Sequence, residues 1–150
     1  MTIEQPKSKF YDWFNLDLSE IERIKNRNRL LSALPQNFGQ TIQFLCEESG
    51  LDEEIIADLA FLSDRMIRKW KADENNTLQP KLENIVKFCH GLFLPGEVCE
   101  FIWLTLGHIY RNNEMEQSYK EISTYYHLDL KEINSVLRDY GLKTWQERNR

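Results

Sequence analysis

Apolar residues recur at helical spacing along almost the whole of this 150-residue chain. Ile42, Leu45 and Cys46 mark one face, Ile55, Ile56, Leu59 and Ala60 a second, and Leu82, Ile85, Val86 and Cys89 a third. These are i, i+3, i+4, i+7 intervals, which a helix of about 3.6 residues per turn returns to one side. The sustained period-2 alternation of a half-buried strand is missing. The pattern predicts an all-α chain. Hydrophobic residues make up 41% and charged residues 29%, with only 6 Gly and 4 Pro, so a disordered or collagenous chain is excluded.

Charge and cysteine usage narrow the function classes. The net charge of −5 excludes a globally basic nucleic-acid coat protein but leaves room for local basic patches. No segment approaches the run of roughly 20 apolar residues that a membrane span needs, so no membrane partner is expected. Met1 to Pro6 shows neither the basic nor the apolar region of a signal peptide. Cys46, Cys89 and Cys99 are odd in number and lack CxxC spacing, which fits reduced thiols and a cytoplasmic location. His90, His108 and His127 are scattered, so no metal or other cofactor is expected. No catalytic arrangement stands out, and the expectation is a protein that is not an enzyme.

Three regions follow. Residues 1–37 read as an N-terminal extension with one helix from about Leu18 to Leu34, opened by capping-box spacing of Ser19 and Glu22. Its apolar side would be Ile21, Ile24, Leu31 and Leu34, and its polar side would carry Arg23, Lys25, Arg27 and Arg29. Residues 38–95 read as short helices with tight turns. Residues 96–150 read as helices near 97–108, 115–126 and 130–140, a C-terminal extension for packing or dimerisation. There Asp129 and Glu132 repeat the capping-box pattern, and Gly141 sits where a helix-ending glycine belongs. Trp70 and Trp103 are expected in the core; Trp13 and Trp145 near the ends mark an interface or tie down a terminus.

Within the middle region, Ser49 to Trp70 reads as two short helices and a turn. Gly50 ends the preceding helix, Asp52 caps the next, and Glu53 and Glu54 suit its positive end. Ala57 leaves room for a close crossing. Ser63 caps a second helix with Ile67 and Trp70 inward and Asp64, Arg65, Arg68 and Lys69 outward. That is the pattern of a helix-turn-helix, whose second helix can enter a major groove.

Residues 38–95, about 58 of 150, resemble the Cro/cI-type, lambda-repressor-like helix-turn-helix of the XRE family. The residues carrying the resemblance are Gly50-Leu51, Ala57, Ser63, Ile67 and Trp70. They are followed by Thr77 to Ile85, which is similar to a proline-started fourth helix, and by Phe93-Leu94-Pro95 at its close. Parts of residues 94–142 resemble an extension of some Firmicutes-type XRE regulators. The resemblance implies a helix-turn-helix bundle with added helices at both ends. It implies a sequence-specific regulator, with repression the expected mode, that binds double-stranded DNA as a homodimer through residues 63–71. The implied DNA-binding set is Glu53, Ser63, Asp64, Arg65, Arg68, Lys69 and Lys71.

The chain departs from the family pattern at four of these places. Glu53 stands where Gln is usual, Asp64 where Gln or Arg reads a base, and Lys71 where an acid is usual. Phe61 replaces the turn glycine, which implies either a turn with no positive φ or strain. Residues 38–95 carry 6 basic and 10 acidic side chains, yet residues 65–71 hold Arg65, Arg68, Lys69 and Lys71 with no acid. These departures keep a second expectation open, a protein-interaction module that retains the helix-turn-helix core and binds a protein partner instead of DNA.

Overall fold

The computed structural model describes residues 5–146. Among the described residues there are nine helices and no strand, so the fold is all-α. They are α1 (Phe10–Phe14), α2 (Glu20–Ala33), α3 (Phe38–Ser49), α4 (Glu53–Ala60), α5 (Asp64–Lys71), α6 (Leu82–Leu92), α7 (Gly96–Thr105), α8 (Glu114–Thr124) and α9 (Leu130–Asp139).

Side-chain caps set most helix starts. Ser19, Asn37, Asp52, Ser63, Asn113 and Asp129 each accept a hydrogen bond from the backbone N–H three residues on. Each satisfies a donor that a helix end leaves without a partner. At α9 the bond is reciprocated, because Glu132 accepts from the Asp129 backbone N–H at 3.1 Å. Gly50 and Gly141 follow α3 and α9 with φ of 75° and 68°.

Helix α6 is the centre of the packing. It meets α4 on one side and α7 and α8 on others, while α5 packs on α3 and α4. Its residues Leu82, Ile85, Val86, Phe88, Cys89 and Leu92 are all buried. The crossing with α4 is close: Ala57 and Ala60 are fully buried, and a Cβ placed on Gly91 would stand 2.8 Å from the Ala60 Cα. Trp70 and Trp103 are buried, and the three cysteines sit buried on α3, α6 and α7. No described helix is long and apolar enough to cross a membrane.

Helix α2 departs from its expected orientation. Leu30 and Leu34 turn inward, but Ile21 is 66% and Ile24 is 38% exposed. The reason is what its neighbours offer. Asn26 donates to the Trp13 carbonyl at 3.0 Å and Arg27 pairs with Glu97 of α7 at 3.2 Å. With Leu30 and Leu34 buried and these polar contacts beside them, the Ile21–Ile24 edge is left outward. The helix after Pro80 also starts later than the proline, with Lys81 preceding Leu82.

Candidate nucleic-acid interface

The expected site residues lie on α4, on α5 and at the Ser63 cap between them, the two helices being joined by only Phe61, Leu62 and Ser63. Three- to four-residue connections are those of helix-turn-helix pairs. Helix α5 is strongly two-sided. Ile67 and Trp70 are buried, while Arg65, Arg68 and Lys69 are exposed. The Trp70 indole is held edge-on between Phe38 of α3 and Phe88 of α6, at 5.5 and 6.0 Å between ring centroids. That aromatic stack fixes the rotation of α5 about its own axis, and with it the outward direction of the basic residues.

Both ends of α5 are pinned. At the start, the Ser63 Oγ accepts from the Met66 N–H at 3.1 Å, and Asp64 Oδ1 accepts from the Arg65 N–H at 3.0 Å. A carboxylate in the first turn also suits the helix dipole. At the end, the buried Asp73 carboxylate accepts from the Thr77 N–H and hydroxyl and from the Leu78 N–H, at 2.9, 3.0 and 3.3 Å. Asn37, ahead of α3, donates to the Glu74 carbonyl and to Asn76 Oδ1, at 3.3 and 3.2 Å. The loop leaving α5 is thus tied back to α3.

The two acidic site residues are matched by cations of the same helix pair. Lys71 Nζ lies 3.0 Å from Glu53 Oε1, and Arg68 Nη1 lies 4.0 Å from Glu53 Oε2 and 3.3 Å from Asp64 Oδ2. Glu53 therefore bridges the start of α4 to the far end of α5. These pairs are half-exposed, and such pairs contribute about 0–1 kcal/mol each. Their larger consequence is for the surface field. Two carboxylates are balanced by two cations, and Arg65 and Lys69 remain outward with no ion pair among the described residues. The structure brings Glu53, Asp64, Arg68 and Lys71 together and leaves Ser63, Arg65 and Lys69 outside that cluster.

Phe61 resolves the alternative posed by its sequence. It adopts φ 56° and ψ 34°, a left-handed conformation. For a residue with a Cβ this costs roughly 1–2 kcal/mol. The ring recovers part of that through packing: it stacks on His90 at 6.3 Å and meets Trp145 at 6.1 Å. Trp145 is fully buried, so it ties down the C-terminal segment. Asn134 clasps it, donating to the Trp145 carbonyl at 3.0 Å and accepting from its N–H at 2.8 Å. Sequence reasoning did not place Trp145 beside the α4–α5 turn. Nor did it give Asn134 a role.

Burial dominates the titration of the interior. It pulls the His90 imidazole down to about 4, against a smaller upward pull from Asp129. It pushes the Cys46 thiol up to about 12, opposed by Lys71, and raises Cys89 well above the ordinary thiol range. None of these is a reactive group. Among the described residues no three His, Cys, Asp or Glu side chains converge as metal ligands. No family model, no curated protein and no solved structure matches the chain.

Proposed function

We propose that the chain is a sequence-specific DNA-binding transcriptional regulator of the XRE type, acting most directly as a repressor, with α5 as its recognition helix. The observation that carries this reading is the outer face of α5. It presents Arg65 and Lys69 without ion-pair partners among the described residues, and Asp64 and Glu53, which phosphates would repel, are paired within the cluster. A rigid helix held by Trp70 and capped at Ser63 is a suitable support for such contacts, because phosphate contacts fix register and base contacts read sequence. On this reading Arg65, near the helix start, would read guanine O6 and N7, and Lys69, one turn on, would contact phosphate. As a homodimer, the protein would span half-sites about 34 Å apart, one turn of DNA.

A second reading, a protein-interaction module, is favoured by Asp52, Glu53 and Glu54, which open α4 beside the basic helix. Substitution on α5 separates the two. Arg65→Ala should cost about 1–3 kcal/mol at a single base position, and Lys69→Ala should weaken binding evenly and flatten the salt slope by about 1. DNA affinity unchanged by both substitutions would refute the assignment of α5.

A further inference from the structure

The turn that feeds α5 is enclosed by three rings: Phe61 of the turn, His90 of α6 and Trp145 of the C-terminal segment. The ring centroids lie 6.3 Å apart for Phe61–His90, 6.1 Å for Phe61–Trp145 and 5.7 Å for His90–Trp145. A left-handed conformation at a residue with a side chain persists only where its surroundings over-determine it. The backbone supplies part of that support, because the Phe61 N–H also faces the Ala57 carbonyl at the end of α4. The Phe61 N–H reaches the Asp58 carbonyl at 3.4 Å, which is long, although the Leu62 N–H makes a good bond to Ala57 at 3.0 Å.

The three rings differ in how they are held. His90 is part of α6, the central helix of the fold, and cannot move without it. Trp145 belongs to no helix. It lies beyond α9, and the Asn134 side chain clasps its backbone. Phe61 stands two residues before the Ser63 cap, so any relaxation of its φ and ψ swings the axis of α5.

We propose that Trp145 is a positioning residue for α5: by closing over the Phe61 ring it helps hold the left-handed turn, and through that turn it steadies the start of α5, whose rotation Trp70 fixes and whose outer face carries Arg65 and Lys69. The C-terminal segment and α5, far apart in sequence, then form one mechanical unit. The effect on α5 stands by itself. Its effect on DNA affinity rests on the reading of α5 given above.

Amide hydrogen exchange by NMR on the full chain tests this. Trp145→Ala should speed exchange at Leu62 and Met66 by about tenfold or more while Ile102 of α7 changes by no more than about twofold, because local opening is confined to the segment that loses its support. Trp145→Phe, which keeps a ring, should restore most of the protection. In a Phe61→Gly background the turn needs no buttress, since glycine takes this conformation without strain, and Trp145→Ala should then add little. If Trp145→Ala does not fold, Asn134→Ala, which loosens the clasp and keeps the indole, should give a milder version of the same local pattern. An even rise in exchange across all helices would overturn the proposal, as would unchanged exchange at residues 61–66 or an equal effect in the Phe61→Gly background. DNA titrations of the same proteins separate the two readings. Local loosening in Trp145→Ala, with a wild-type protein that binds no DNA, would refute the recognition-helix reading alone. DNA affinity unchanged by a confirmed loosening would refute the link between Trp145 and DNA presentation.

Discussion

Replacing Gly39 by Ala presses a methyl group onto the backbone that closes α5. Gly39 lies in the first turn of α3. A Cβ there would stand 2.5 Å from the Asp73 carbonyl oxygen and 3.0 Å from the Trp70 carbonyl oxygen. Carbon and oxygen do not sit at 2.5 Å, so one backbone must retreat by about half an ångström or more. Neither is free to do so cheaply. The Asp73 carboxylate is held by Thr77 and Leu78, its N–H donates to the Trp70 carbonyl at 3.2 Å, and Trp70 is fixed between Phe38 and Phe88. Overpacking of this kind costs about 1–3 kcal/mol. The better helix propensity of alanine returns less than about 1 kcal/mol this close to a helix end. The net expectation is a loss of about 1–2 kcal/mol. At about 2–4 °C per kcal/mol for a chain of this size, the Tm should fall by roughly 2–8 °C. Thermal unfolding by circular dichroism, alongside wild type, is the assay. A Tm equal to or above wild type would show that α3 and the end of α5 do not meet as closely as described.

Two further predictions use the titration of the interior. His90 is held neutral down to about pH 4, whereas in the unfolded chain it charges near its ordinary value of 6.5. The unfolded state therefore gains a proton first, and stability present above 6.5 is lost as the pH falls towards 4, by up to about 3 kcal/mol. Urea unfolding at pH 7 and pH 4.5 should show a smaller drop in His90→Leu than in wild type, and equal drops would contradict the desolvation of the His90 imidazole. The three buried thiols should not react with a thiol reagent in the folded protein and should all react on denaturation. A native reaction at any of them would contradict its burial.

The helices were legible because their signals are local. Period, cap residue and closing glycine lie within a few positions of one another, and α2, α4, α5 and α9 start directly after the caps Ser19, Asp52, Ser63 and Asp129. Helix α1 escaped because five residues, Phe-Tyr-Asp-Trp-Phe, are too few to display a period. The rotation of α2 escaped because Leu30, not Ile21 or Ile24, meets the core, with Asn26 of the same helix bonded to the Trp13 carbonyl.

At the candidate site, the basic face of α5 could be read directly. The balance of its charges could be read only in part. Asp64 and Arg68 are one turn apart on a helix, a spacing that sequence exposes. Glu53 and Lys71 are on different helices and meet only once α4 and α5 fold against each other. The two departures that weigh most against DNA binding, Glu53 and Asp64, thus looked more adverse in sequence than their surroundings make them. Phe61 shows the opposite case. Its identity flagged the turn, but the rings that accommodate it come from α6 and from the far end of the chain.

The proposed role of α5 is to bind DNA with sequence preference. Fluorescence anisotropy of the full-length protein with DNA from upstream of its own gene, against a scrambled fragment, at about 50 and 200 mM salt, tests it most directly. Tight binding to the upstream fragment alone, weakening as salt rises, is the expected result. No binding to either fragment at the lower salt would contradict it and would favour the reading in which the same helices meet a protein partner.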